Sequence, residues 1–155
     1  MRHPLRLFAT IALCASALNV AAAQGAAAFG VGLDPLDLTA DLNVTLPLFE
    51  AGAARHAVRA DLTYSFTGLP GLSATYVLSD PGAADIRTYV GAGAGVAFLT
   101  SPGLSAVLSA HALAGANVHL TGPLGAYGEV VVAGNALATG LRLALGLSYE
   151  PGGWR

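Results

Sequence analysis

The feature that most constrains this chain is a strict two-residue alternation of apolar and polar side chains. It is clearest in 38–48, where every even-numbered residue is Leu, Val or Ala and every odd-numbered residue is Thr, Asp, Asn or Pro. Successive side chains of a β-strand point to opposite faces, so this stretch predicts a strand with one apolar and one polar side. We expect Pro47, which has no N–H to donate, to mark the end of the strand.

The same alternation returns about every fifteen residues and predicts eight strands joined by hairpins. A helix is the alternative for the Ala-rich sixth segment, because Ala is the best helix former. The polar residues of that segment, however, keep to odd positions from Ser105 to His119, which a 3.6-residue period would not produce. The predicted strands are 26–33, 38–48, 56–66, 69–78, 86–98, 104–120, 124–133 and 138–149.

Charge is scarce along the chain. Charged residues make up 10% of its 155 residues, hydrophobic residues make up 54%, and Lys is absent. A soluble domain has about 25% charged residues, so much of this surface is predicted to face something other than water. The length suggests one domain. Beyond residue 23, nine acidic residues outnumber five Arg, which argues against a nucleic-acid partner.

The N-terminus has the layout of a secretory signal. Arg2 and Arg6 precede an apolar run over 7–20, and three Ala residues over 21–23 offer a cleavage site. We predict that 1–23 is a cleaved signal peptide and that 24–155 forms a single mature domain; a membrane anchor is the alternative for the first segment. The only cysteine, Cys14, would leave with the signal, so we expect no disulfide.

Alternation alone does not say which face lies inside a barrel, but the composition of the two faces does. The polar face is mostly Gly, Ala, Ser and Thr with few charges, which suits a narrow lumen better than a water-facing surface. Its charges balance, and buried charges are tolerated mainly in pairs. We therefore predict a lumen charge network, with scattered solvated charges as the alternative. The predicted network is Asp41, Arg59, Asp61, Arg87, Glu129 and Arg142, with Tyr89, His111 and Tyr127 as further lumen residues.

Aromatic residues on the apolar face fall near the strand ends. Membrane barrels place aromatic girdles at both interfaces, and strands of about 9–11 residues cross the hydrocarbon. An open sheet edge is not tolerated in lipid, so the first and last strands are predicted to pair. The predicted girdle is Tyr64, Phe66 and Phe98 near one rim and Tyr76 and Tyr149 near the other.

With the inward charges and the segment Tyr-Val-Gly-Ala-Gly-Ala-Gly-Val over 89–96, residues 24–150 resemble the small eight-stranded outer-membrane barrels of the OmpA and OmpX type. The resemblance implies an all-β, antiparallel, up-and-down transmembrane barrel in the cell outer membrane. It also implies contact with outer-membrane lipids, assembly by the barrel-assembly machinery, and a monomer. Two departures are the tail after Tyr149 and the short predicted external connections, 34–37, 67–68, 99–103 and 134–137.

The expected role is structural, in envelope integrity, with a narrow, porin-like pore as a further possibility. A secreted, lipocalin-like barrel that binds an apolar ligand is the alternative. A lipid-modifying enzyme comes third, because Ser109, His111 and Glu129 share the inward face. No cofactor or metal is expected, since His111 and His119 lie eight residues apart, about 26 Å along a strand. The glycines of 91–95 are expected to make room for inward Tyr and Arg side chains.

Overall fold

The computed structural model describes residues 25–33, 37–65, 70–80, 85–99, 105–135 and 139–151. No helix within these ranges is long and apolar enough to cross a membrane. The eight strands are β1 (Ala26–Leu33), β2 (Leu38–Ala51), β3 (Ala54–Ser65), β4 (Pro70–Ser79), β5 (Ile86–Leu99), β6 (Ser105–Thr121), β7 (Leu124–Gly134) and β8 (Thr139–Tyr149).

The strands form one closed antiparallel barrel in chain order. Strand β1 pairs with β2 on one side and with β8 on the other, so that Gly30 lies opposite both Asp41 and Gly146. Closure leaves no strand with an unpaired row of backbone N–H and C=O groups. The predicted fold class is confirmed.

Six strands agree with the predicted bounds to within one residue, and the difference lies at the hairpin between β2 and β3. The ladder continues to Ala51 and resumes at Ala54, and Gly52 at φ +62° forms the tight turn between them. Pro47 therefore does not end the strand. It sits at a β-bulge: Pro47 pairs with Ala57 and Phe49 pairs with His56, so Leu48 is the extra residue on β2. A bulge is one of the few places in a sheet where a residue without an N–H donor is tolerated.

The two ends of the barrel differ in their connections. One end carries the tight turns after β2 and β6, with Gly52 and Gly122 at positive φ, and also carries Gly25 and Glu150. We call it the turn end, and the opposite end the loop end. All four predicted external connections belong to the loop end, and most of their residues lie outside the described ranges.

Side chains follow the predicted inside-out pattern. Large apolar residues on the outer face are exposed, among them Leu108 at 78% and Leu145 at 63%, whereas inward Arg59 and Glu129 are only 5% and 6% exposed. The inner face also holds a row of buried apolar residues that the alternation had not singled out. This row crosses adjacent strands from β3 to β7 and consists of Ala57, Val77, Leu113 and Val131 with Gly91 between them.

Candidate functional site

The centre of the lumen is crossed by an ion pair between Arg59 and Glu129. Arg59 Nη1 donates to Glu129 Oε2 at 2.7 Å and Nη2 donates to Oε1 at 2.9 Å. These residues stand on β3 and β7, four strands apart in a barrel of eight, and therefore on opposite walls. Their side chains are 6% and 2% exposed. A two-bond guanidinium–carboxylate contact of this kind is strong and directional.

Two further side chains complete this contact. Arg59 Nε donates to Asp61 Oδ1 at 2.6 Å, and Tyr89 Oη donates to Glu129 Oε2 at 2.9 Å. Arg59 thus serves two carboxylates at once. Most polar atoms of the Arg59 and Glu129 side chains thus have hydrogen-bond partners, which offsets the cost of removing the two charges from water.

A second contact lies beside it. Arg142 Nη1 donates to Asp41 Oδ1, which also accepts from Thr63 Oγ1 at 2.9 Å. The other oxygen, Oδ2, accepts from Thr39 Oγ1 at 3.2 Å. We call Asp41, Arg59, Asp61, Glu129 and Arg142 the central cluster.

Arg87, the sixth residue of the predicted network, lies elsewhere. Its Nη1 donates to Glu150 Oε1 at 3.0 Å and to Oε2 at 2.9 Å. Arg55 Nη1 lies 3.7 Å from Glu150 Oε1, and Arg55 Nε donates to Glu50 Oε1 at 3.1 Å. We call Glu50, Arg55, Arg87 and Glu150 the mouth cluster, since all four lie at the turn end.

The six predicted residues therefore divide between two clusters. The central cluster has three carboxylates and two Arg, while the mouth cluster has two of each. Sequence reasoning missed Glu150, although the even-numbered residues of β8 point inward and Glu150 continues that series. It missed Glu50 because the bulge after Pro47 reverses the parity of the residues that follow. The predicted strand ended at residue 48, and alternation continued past Pro47 would set Glu50 on the outer face.

Ser109, His111 and Glu129 are not joined as a nucleophile, base and orienting acid. His111 Nε2 contacts Thr75 Oγ1 at 2.7 Å, whereas Glu129 is engaged by Arg59 and Tyr89. The register sets His111 opposite Ala133, and Glu129 lies four residues away along β7, about 13 Å at strand rise. Among the described residues, no group of three or more His, Cys, Asp or Glu could hold a metal ion.

Tyr127 fills the remaining width of the lumen near β1 and β8. It is 6% exposed, and its hydroxyl has no hydrogen-bond partner among the described residues. Glycines on the adjacent strands admit its ring: a Cβ at Gly146 would lie 2.6 Å from Tyr127 Cε1, and one at Gly30 would lie 2.3 Å from Oη. Gly115 serves Tyr89 in the same way, at 2.6 Å.

The glycines of 91–95 have a different role from the one expected. A Cβ at Gly93 would lie 2.1 Å from the Ala74 carbonyl oxygen, and one at Gly91 would lie 2.8 Å from Thr75 Cγ2. These positions let β5 and β4 approach closely. The space for the two lumen tyrosines is provided by glycines on β1, β6 and β8.

The outer face carries the predicted aromatic residues near both ends. Tyr64 and Phe98 lie toward the loop end and Tyr76 and Tyr149 toward the turn end, while Phe66 is outside the described residues. An additional cluster surrounds Tyr76, whose Oη lies 2.6 Å from His56 Nδ1. Phe49 stacks on His56, with ring centroids 4.4 Å apart. The same bulge turns Phe49 outward.

Comparisons with known proteins agree on the fold. No protein-family model matches the chain, and no curated protein matches it. The N-terminal β-barrel domain of Pseudomonas aeruginosa OprF is similar with a TM-score of 0.62 at 16% identity, over 81% of this chain and 94% of that one. The outer-membrane enzyme PagL gives 0.56 at 17%, over 80% and 98%. Neisserial surface protein A gives 0.53 at 13%, over 82% and 94%. The chain thus shares its fold with small eight-stranded outer-membrane barrels, as the sequence resemblance predicted.

Proposed function

We propose that this protein is an outer-membrane β-barrel of a diderm bacterium with a structural role in the envelope, and that its lumen is closed to solutes. The observation that carries the proposal is the Arg59–Glu129 pair. It joins opposite walls of the barrel through two hydrogen bonds of 2.7 and 2.9 Å between side chains almost fully shielded from solvent.

The outer surface supports the membrane location. Phe29, Leu108 and Leu145 are 58%, 78% and 63% exposed, an arrangement that water would penalise and hydrocarbon favours. Tyr and Phe rings near both ends match the positions of the two interfaces. A lipocalin-like soluble barrel needs the reverse polarity, with an apolar interior and a charged exterior.

The interior supports a closed lumen. Eight strands leave an interior that side chains are able to fill. Here the central cluster spans that interior, and the buried row containing Val77, Leu113 and Val131 excludes water from one wall. We therefore propose a barrel without a continuous aqueous path, which places a narrow pore second.

The remaining parts of the proposal follow from the same location. Residues 1–23, which lie outside the described ranges, act as the cleaved export signal. The turn end faces the periplasm, outer-membrane lipids cover the apolar face, and the barrel-assembly machinery inserts a monomer. PagL is an enzyme. In this chain His111 contacts Thr75 while Glu129 is held by Arg59 and Tyr89, which supports placing an enzymatic role third.

Two measurements test the proposal. The membrane fraction should contain a species whose gel mobility changes on boiling, as a folded barrel requires, and the purified protein should show no steady large conductance in a planar bilayer. Recovery from the soluble periplasmic or extracellular fraction would contradict the location. Steady conductance of the unmodified protein would contradict the closed lumen and leave the location standing.

A further inference from the structure

The chain does not leave the barrel when β8 ends at Tyr149. The backbone N–H of Glu150 donates to the Pro123 carbonyl oxygen at 2.8 Å, which ties this residue to the turn between β6 and β7. Its carboxylate then lies between two guanidinium groups, those of Arg87 and Arg55. The first residue after the last strand is thus held by both its backbone and its side chain.

The positions of these partners show that the contact spans the mouth. In a closed barrel of eight strands, the wall opposite β8 is β4, and the strands on either side of β4 are β3 and β5. Arg55 stands on β3 and Arg87 on β5. Glu150 therefore reaches across the turn-end mouth and contacts both strands that flank the opposite wall.

The environment makes this contact more than a solvated surface pair. The side chains of Arg87 and Glu150 are 12% and 22% exposed, and Arg87 Nη1 lies within 3.0 Å of both oxygens. Arg55 is also bonded to Glu50, so the two Arg and the two carboxylates of the mouth cluster balance in charge. Such a network is favourable where an isolated exposed pair would contribute little.

We infer that Arg55 and Arg87 form a docking site for Glu150, the first residue after β8, and that Glu150 closes the lumen a second time at the turn end. This inference rests on the proposed closed membrane barrel. The two closures use different residues: Arg59 with Glu129 at the centre, and Arg87 with Glu150 at the mouth. Either closure is therefore expected to persist when the other is broken.

The inference is tested by the reactivity of single cysteines in the folded barrel. Cys14 is the only cysteine of the chain, so a Cys14→Ser background is free of thiols. Ser148→Cys places a thiol on the inner face two residues before Glu150, where Ser148 is 5% exposed. In lipid vesicles, Glu150→Gln should raise the rate at which a membrane-impermeant thiol reagent modifies this cysteine by about tenfold, because a charge-assisted contact is lost.

Three matched variants make the result specific. Arg87→Gln should give the same increase. The double variant Glu150→Gln with Arg87→Gln should give no more than either single variant, since both changes remove the same contact. Glu50→Gln, which touches only Arg55 among the mouth residues, should leave the rate unchanged. A cysteine at Ser109 on the inner face near the loop end should be insensitive to all of these changes. Every sample is first checked for heat-modifiable gel mobility.

An unchanged rate at position 148 in both Glu150→Gln and Arg87→Gln would overturn the second closure while leaving the closed lumen intact. Steady conductance of the unmodified protein in a planar bilayer would instead overturn the closed lumen, and the second closure with it. The two failures are thus distinguishable, because one is read from cysteine reactivity and the other from conductance.

Discussion

The central cluster and the mouth cluster are built from the same groups, yet they stand in different surroundings. At the centre, the side chains of Arg59 and Glu129 are 6% and 2% exposed. At the mouth, those of Arg55 and Glu50 are 30% and 65% exposed. Both pairs have hydrogen-bond distances near 3 Å, so distance alone does not distinguish them.

Burial is what separates the two clusters. Removing one partner of a buried pair strands a charge in a medium of low dielectric constant, which costs several kcal/mol, whereas an exposed pair contributes about 0–1 kcal/mol. A buried pair is also poorly screened by salt. The barrel therefore depends on its central contact for integrity, and the exposed Arg55–Glu50 pair at the mouth contributes little to its stability.

The largest expected effect comes from Glu129→Ala. It leaves Arg59 buried without its main partner and should lower the free energy of unfolding by about 3–5 kcal/mol. Urea unfolding in lipid vesicles, followed by gel mobility, measures this change. Arg59 also bonds to Asp61, so the matched control is the triple variant Arg59→Met, Asp61→Asn and Glu129→Leu, which removes all three charges and should recover most of the loss. A triple variant as unstable as Glu129→Ala would show that the cost is not electrostatic.

Two tyrosines sharpen the comparison within the lumen. Tyr89→Phe removes a hydrogen bond to a carboxylate and should lower the free energy of unfolding by about 1.5–3 kcal/mol. Tyr127→Phe removes a hydroxyl that has no partner among the described residues, and it should be neutral or stabilising. The same unfolding assay compares them. Equal losses for both would contradict the assigned contacts.

The packing around Tyr127 is tested at two glycines. Gly146→Ala would set a Cβ 2.2 Å from the Phe29 carbonyl oxygen, and should cost about 1–3 kcal/mol through overpacking. Gly140→Ala, also on β8, meets nothing within 4 Å and should change stability by less than about 0.5 kcal/mol. Thermal gel-shift midpoints rank the two variants. If Gly140→Ala proves the more damaging, the register of β8 is incorrect.

The smallest effect is expected at the mouth. Glu50→Gln should alter the free energy of unfolding by less than about 0.5 kcal/mol, and that difference should vanish at high salt because the pair is exposed and screened. Unfolding at low and high ionic strength provides the check. A loss comparable with that of Glu129→Ala would remove the distinction between the clusters.

Much of the architecture was predictable from local pattern. The alternation over 38–48 and its seven repeats specified strands, because side-chain parity is a property of each strand alone. The sparse charges of the odd-numbered positions on β2 and β3 also identified Asp41, Arg59 and Asp61 as inward, and the structure buries all three. The inward apolar residues Val77 and Leu113 were less visible, since they resemble the outward residues on either side of them.

The bulge shows where local pattern stops being sufficient. A single extra residue after Pro47 reverses parity, so Phe49 turns outward to His56 and Glu50 turns inward to Arg55. The alternation before Pro47 does not predict that reversal. Its position depends on how β2 pairs with β3 near the tight turn at Gly52.

The sequence by itself determined that this chain forms eight strands and which face of most of them is polar, because those properties follow from the two-residue geometry of one strand. Only the tertiary structure decided which charges meet. Arg59 contacts Glu129 seventy positions away, and Arg87 contacts Glu150 rather than a member of the central cluster. These partners lie three or four strands apart, so their contact depends on the register accumulated around the closed barrel, which no single strand contains.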